Sequence, residues 1–532
     1  MPATLQTVET QDTDLLSFSE EQQRIYEAAT PEEKRRAQGH FPTPKSVAAF
    51  MAELLSDIPA SLRLLDPGAG VGTLAVAVCQ RVLRCRTPRT IHITAYENEP
   101  SLLPILRRNL TNCQAALEAA GHEMDFHVFQ EDFILSNAGA FSQPHFFGKA
   151  KQPELFDAAI MNPPYFKLSG TSPYAQIMAR VVHGQPNIYA LFMALAAQLL
   201  RPGGELVAIT PRSFCNGLYF REFRRWFFDR MSLQHVHLFA SRKATFKESD
   251  VLQESLITLT RHTPQSGEDV SLSTSHGRTF PAKDSWRTAP AEKVLDSSTP
   301  DLMLCIPENA EDAIIAEIVR GWPKRFNELG LRISTGPVVS FRATEFLLPT
   351  INGKTSTPLI SVHNVRRFTT LWPLQKKNKP EAFKICPESE KLLLPAKNYV
   401  LMRRFSAKEE KRRLTASCYL KAESQRDLVA LENHLNYVYH AKRDLTEEET
   451  FGIAALFNSA FLDRYFRTIS GNTQVNATEI RSIPFPDLAT VDHIGRAVKA
   501  LRALESADVE RIVLDALRVP EAVKRYTLEF AV

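Results

Sequence analysis

Asn162-Pro163-Pro164-Tyr165 stands directly after an apolar run, FDAAIM, and its residue types suit one kind of chemistry. An amino group on an aromatic base is a poor nucleophile, because its lone pair is delocalised into the ring. A catalyst has to draw that nitrogen toward tetrahedral geometry. The side-chain carbonyl of Asn162 and the backbone carbonyl of Pro163 could each accept one N–H, preorganised where charge develops. The prolines stiffen the loop, since each fixes φ and restricts the residue before it. Tyr165 offers a ring face for a base swung out of its stack. Read blandly, the tetrapeptide is a rigid strand-to-loop turn, because N-P pairs often mark turns.

A second constellation lies upstream. LLDPGAGVGT puts Asp66, Gly68, Gly70 and Gly72 between a strand-like and a helix-like run. Glycines let the backbone turn sharply and approach a ligand closely. The loop reads DPGAGVG rather than G-x-G-x-x-G, and Asp66 precedes it. Both features argue against a nicotinamide cofactor and suit a cationic one such as S-adenosylmethionine. Glu97 ends the next strand-like run, where a carboxylate can accept both ribose hydroxyls. Asp132, in Gln130-Glu131-Asp132-Phe133, falls where a third strand should end. It could accept from the cofactor's adenine amino group while Phe133 covers the ring. Either acid alone reads as a solvated strand end; their order along the chain is what points to a cofactor.

The elements that must position these residues are legible in the pattern of apolar runs. LRLLD (62–66), IHITAYE (91–97), FDAAIMN (156–162) and GELVAIT (204–210) alternate with helical stretches at 73–84, 100–118 and 187–200. Continuous apolar strands alternating with helices predict a doubly wound α/β domain on a buried, largely parallel sheet. The expected division is a leader over 1–38, ending in Lys34-Arg35-Arg36, and a catalytic domain over 39–265. A Ser/Thr/Pro-rich linker over 266–300 and an α+β domain over 301–532 follow. In the latter, Thr446 and Glu449 form a capping-box pattern opening one strong helix that runs on through Phe466.

A chain of 532 residues is too long for one core. It has no run near the ~18 to 20 apolar residues of a membrane span. Its polar N-terminus is unlike a secretory signal or transit peptide, so a cytoplasmic protein is expected. The seven cysteines are scattered without a C-x-x-C pair, which disfavours disulfides and structural zinc, and no metal is expected. Net charge is only +4, but residues 366–413 hold fourteen Lys or Arg against five Glu, a local +9 that leaves −5 elsewhere. With Phe368, Trp372, Tyr399 and Phe405 interleaved, that stretch reads as either a solvated face or a polyanion site.

From Gly39 to Arg261 the motifs resemble those of the DNA adenine-N6 methyltransferases of type II restriction-modification systems, in the gamma order. GHFPTPKSVAAFM resembles that family's N-terminal motif, which implies that Thr43 and Pro44 help hold the methionine portion of S-adenosylmethionine. NIYALFMALAAQLLRPGGELVAITP resembles the segment after the catalytic loop, and Phe192 there matches an aromatic packed on the cofactor adenine. SFCNGLYFREFRRWF and HLFASRKATF resemble later motifs. Phe239 matches the aromatic that contacts the flipped base, with Phe246 as the alternative. The tail ISGNTQVNATEIRSIPFP resembles the closing segment of many target recognition domains.

The resemblance implies a Rossmann-like S-adenosylmethionine-dependent methyltransferase domain followed by a DNA target recognition domain. It also implies methylation of adenine N6 in a short duplex sequence, by a monomer on double-stranded DNA, protecting that DNA from a cognate endonuclease. Cytosine-N4 methylation is the near alternative, although it commonly has Ser where this chain has Asn162. The same tetrapeptide serves RNA and protein amino-group methyltransferases, usually compact and without so large a basic domain. Cytosine-C5 chemistry needs a Pro-Cys nucleophile, and no P-C dipeptide occurs. A fused nuclease is not expected with only about 40 residues before the first motif.

Overall fold

The computed structural model describes residues 14–31, 33, 42–141, 154–239, 254–265, 267–275, 277–297, 301–376, 379–406, 410–470 and 474–531. Phe246 and Lys34-Arg35-Arg36 lie outside them. Two compact units divide the chain, Met1–Leu304 and Cys305–Val532.

The first unit is built on a nine-stranded sheet. In chain order its strands are β1 (Ser61–Pro67), β2 (Thr90–Tyr96), β3 (Glu123–Phe129), β4 (Phe156–Met161), β5 (Leu200–Pro211), β6 (Ser232–Phe239), β7 (Ser255–Arg261), β8 (Asp269–Ser275) and β9 (Arg287–Pro290). Their spatial order is 3-2-1-4-5-7-6-8-9. β1 to β5 run parallel, and β7 enters antiparallel between β5 and β6. Strands covered on both faces must be apolar throughout, and Leu64, Leu65, Ile93, Ala159 and Ile160 are buried accordingly. The order of strands reverses between β1 and β4. That switch point leaves a crevice outside the carboxyl ends of the strands, the usual ligand position in such sheets.

Two expected boundaries shift. The leader contains a helix, α1 (Leu15–Ala29), that packs on α3 (Thr73–Val82) and α4 (Leu103–Ala119). Leu15 and Leu16 join the core there, and the Leu15 N–H donates to Gln80 Oε1 at 2.7 Å. The polar region 266–300 is no linker: it supplies β8 and β9. Its serines misled because Ser273 and Ser275 face inward, bonded to His235 and His237 on β6.

The second unit is α+β. One five-stranded sheet contains Leu331–Thr335, Leu435–His440, Tyr399–Arg403, Ala416–Tyr419 and Phe368–Thr369. Another contains Leu347–Leu348, Ala382–Lys384, Ser356–Ile360, Leu428–Leu431 and Leu393–Pro395. Helices cover the first sheet through a core that includes Phe326, Phe457 and Phe461. The capping box forms as its spacing predicts, but the helix it opens ends at Asn458, and Ala460–Ile469 is a separate helix. Ser459 is extended and caps the second helix, whose first N–H groups also donate to the buried Glu510 carboxylate. A carboxylate at a helix N-terminus satisfies orphan donors and complements the dipole.

Much of the basic stretch is committed to the fold. Arg413 is 1% exposed, its guanidinium 5.3 Å from the Phe466 ring, and the Arg413 and Leu414 N–H groups donate to Asp463. Arg367 donates to Asn458 O at 2.9 Å and Arg403 to Val365 O at 2.7 Å. Lys376, Lys379, Lys384, Lys391 and Lys411 remain exposed.

Candidate active site

The glycine loop leaves β1 and turns through three left-handed glycines, Gly68 (φ +72°), Gly70 (φ +60°) and Gly72 (φ +87°). Only glycine adopts that sequence without strain. At Gly68 a Cβ would make only ordinary contacts, 3.4 Å from the Phe192 ring and 4.0 Å from Pro164 Cδ, so its backbone conformation is what calls for glycine. The Gly68 and Ala69 N–H groups donate to Tyr96 O, which ties the loop to the end of β2. A cavity of about 360 Å³ opens beside it.

Glu97 follows β2 and lines that cavity at 7% exposure. Its carboxylate accepts the Gly70 and Glu99 N–H groups at 2.8 Å each, so two turns converge on one acid. Burial raises its pKa against those bonds. Asp66, at the end of β1, is 1% exposed and does not line the cavity; the Ala75 N–H is the backbone group that approaches its carboxylate. Burial, with the charge of Glu97 adding to it, pushes its pKa up to about 7. Glu97 at the wall of the cavity, with the Asp66 carboxyl buried behind the glycine loop, is an acceptor set that fits a cationic ligand carrying hydroxyls.

Asp132 lines the same cavity from beyond β3. It caps a short helix through the Leu135 N–H at 2.9 Å and accepts the Tyr174 hydroxyl at 2.9 Å; burial first, and then this bond, raise the Tyr174 pKa. Phe133 is buried, edge-on to Tyr96 and tilted against Phe192 at 5.3 Å. Phe133, Phe192 and Ile188 make an apolar wall beside Asp132.

The catalytic-loop candidates leave β4, the strand next to β1. Asn162 and Pro164 line the cavity, and Pro163 is buried behind them. Asn162 Nδ2 donates to Thr43 Oγ1 at 3.0 Å, while Asn162 Oδ1 accepts the Tyr165 hydroxyl. The same hydroxyl lies 2.9 Å from Ile209 O on β5, so its one proton is shared between the two acceptors, and burial holds the phenol far above the usual range. The amide is therefore gripped at both ends, with its oxygen turned toward Tyr165.

Several expectations need adjustment. Phe166, 39% exposed, is the aromatic of this loop that lines the cavity, whereas Tyr165 is not among the lining residues. Pro42 lines it in place of Pro44, which caps the helix Lys45–Leu54. Phe239 is 4% exposed in the sheet core, with its ring 5.0 Å from His237 and 6.2 Å from Phe280. The period of two along β6 puts it on the face shared by His235 and His237, and it does not line the cavity. Sequence reasoning missed Gln23, which lines the cavity from α1, and Tyr174. Gln23 had no signal, because the leader has no motif; the Asp132–Tyr174 pairing joins residues 42 positions apart.

Residues 68–246 match the family described as the Eco57I restriction-modification methylase. The chain is 33% identical over 486 residues to the type II methyltransferase M.PstI of Providencia stuartii, covering 90% of this chain and 93% of that protein. It is 36% identical over 464 residues to the type II methyltransferase M.BsuBI of Bacillus subtilis, covering 86% of this chain and 90% of that protein. Identity at this level, sustained through both units, extends well beyond the glycine loop and the Asn-Pro-Pro-Tyr segment. The chain belongs to the type II methyltransferases of restriction-modification systems.

Proposed function

We propose that this enzyme transfers a methyl group from S-adenosylmethionine to the N6 amino group of an adenine flipped out of a specific duplex DNA sequence. The observation that carries the reading is the shared cavity. Asn162, at the end of β4, the glycine loop after the neighbouring β1, and the acids Glu97 and Asp132 line one crevice.

In this reading Glu97 accepts the ribose hydroxyls, Asp132 the adenine amino group of the cofactor, and Phe133 and Phe192 pack on that ring. Asp66 offers an anionic site at the end of β1. Bound there, the cofactor supplies an electrophilic methyl on a sulfonium. Asn162 Oδ1 and Pro163 O accept the two N–H groups of the target, which frees the nitrogen lone pair for attack. Phe166 and Tyr165 flank the extruded base. As the nitrogen–methyl bond formed, the carbon–sulfur pair would stay on the departing neutral thioether. The positive charge, shared between the amino nitrogen and the target's ring, would be lost as one amino proton to solvent. The second unit, with its exposed lysines, reads the DNA, and methylation protects that DNA from a partner endonuclease.

Transfer of tritium from labelled S-adenosylmethionine to unmodified plasmid DNA, followed by nuclease digestion and chromatography, tests this. Label in N6-methyladenine is the expected result. Label in N4-methylcytosine would keep the enzyme class and overturn the base assignment, and label in protein or RNA alone would overturn both.

A further inference from the structure

Phe341 is 75% exposed, the largest value given for any big apolar side chain among the described residues. A lone exposed phenylalanine needs no explanation. This one is held rigidly, which is harder to dismiss. Its loop begins at Gly336, where a Cβ would come within 2.2 Å of Glu432 O, so only glycine lets the chain lie on the turn at 432–435. Three bonds fasten it there: Gly336 N–H to Leu435 O at 2.9 Å, Asn433 N–H to Val338 O at 2.8 Å, and the Ser340 hydroxyl to Glu432 Oε1 at 3.1 Å. Arg342 lies over the Phe341 ring at 5.3 Å and has no ion-pair partner among the described residues.

The same turn carries a second pair of this kind. His434 bonds Glu432 at 3.1 Å and meets the Phe405 ring edge-on at 5.3 Å. Phe405 is 42% exposed under the Arg404 guanidinium, 5.8 Å away, and Arg404 is anchored on Asn433 O. Two aromatic–arginine pairs thus hang from one turn, in the unit that carries the exposed lysines 376, 379 and 384. Apolar rings flanked by guanidinium groups that have no carboxylate partner among the described residues complement a stacked polyanion, since rings can part base steps while arginines take phosphates.

We propose that Phe341 is a wedge that enters the base stack of bound duplex DNA, with Arg342 and Arg404 on the flanking phosphates. The proposal rests on DNA being the substrate. It assigns a role to a loop outside the basic stretch 366–413.

The test uses the full-length protein and a short fluorescent duplex carrying the target site, defined beforehand by mapping modified positions in plasmid DNA. Phe341→Ala should bind this duplex about tenfold more weakly or worse, with an unchanged dependence on salt, because an apolar wedge releases no counterions. A mismatch at the wedged step should restore its affinity, since the unstacking cost is then already met. Phe341→Leu should stay within about threefold of the parent, as leucine also serves as a wedge. Arg342→Ala and Arg404→Ala should each flatten the log–log salt slope by about one. A Phe341→Ala protein that binds and bends the duplex like the parent overturns the wedge and leaves the methyltransferase reading intact. Failure of the parent protein to methylate any DNA overturns the reading beneath it.

Discussion

The Tyr165 hydroxyl donates to Asn162 Oδ1, the atom that is to accept from the target amino group. An incoming N–H must therefore share or displace an internal donor. Removing that hydroxyl leaves the buried acceptor hungry, and a net hydrogen bond of this kind is worth about 0.5 to 1.5 kcal/mol. Tyr165→Phe should therefore capture the extruded base about two- to tenfold more tightly, with 2-aminopurine fluorescence as the readout, and keep its turnover within a few fold. Asn162→Ala should lose about 10²- to 10³-fold in kcat while still binding cofactor and DNA. Equal losses in both variants would show that the tyrosine and the amide act as one unit.

Thr43 holds the other end of the same amide. Thr43→Val keeps the shape and removes the acceptor, so the amide can swivel; kcat should fall about tenfold with little change in KM for DNA. Thr43→Ser should recover most of it. If Thr43→Val instead raises KM for S-adenosylmethionine alone, the threonine holds the cofactor and does not orient Asn162.

Asp66 has its pKa raised from an ordinary 3.8 to about 7 by burial. A carboxyl raised in the folded state holds its proton there while the unfolded chain has already lost it. Its share of stability is full below about pH 4 and declines as pH rises to about 7. Thermal midpoints of the free protein should carry this fall, and Asp66→Asn should flatten it. Binding of cationic S-adenosylmethionine near pH 7 should release part of a proton. Calorimetry in two buffers of different ionisation enthalpy measures that release, and Asp66→Asn should abolish it.

Asp132 and Glu97 differ in their ties. Glu97 is held by two backbone N–H groups, and Glu97→Gln should weaken cofactor binding chiefly by unsettling the Gly70 turn. Asp132 is held by Tyr174, so Tyr174→Phe should weaken binding only a few fold, less than Asp132→Ala. Titration calorimetry on the three variants gives the order; tighter binding by Asp132→Ala would remove it from the pocket.

Charge reversal separates the two kinds of cation in the basic stretch. Lys376→Glu with Lys379→Glu should leave the fold intact, weaken DNA binding and flatten its salt slope. Arg413→Glu should fail to fold, because a buried carboxylate beside Asp463 costs on the order of 3 to 5 kcal/mol. Circular dichroism and binding titrations read the two outcomes. Wild-type affinity in the lysine variant would move the DNA surface elsewhere.

What could be read in the sequence is what a short local pattern encodes. The runs at 62–66 and 156–162 became strands because continuous apolar residues mark buried parallel strands, and the glycine loop carries its geometry in its spelling. The burial of Phe239 was not legible because alternation along β6, visible only once Ser273 and Phe280 are in place, decides which face an aromatic takes. β8 and β9 stayed hidden because inward serines look polar on paper and are satisfied by histidines far back in the chain. The second helix start at Ser459 depends on Glu510, fifty residues from Ala460. Pairings over such distances have no local signature.

The register of β1 on β4, Leu64 against Ala158 and Leu65 against Ala159, roots the glycine loop and the Asn162 loop on adjacent strands. Adjacent strands sit about 4.8 Å apart. In the proposed reading, methyl donor and acceptor are mounted on the two members of one hydrogen-bonded ladder. β8 and β9 lie at the far edge of the sheet, away from this ladder. A single-residue slip between β1 and β4 would part the reactants by a full residue step, about 3.3 Å. A substitution that shifts this pairing should therefore cost the proposed transfer more than one that shifts β8 or β9 at the rim of the sheet.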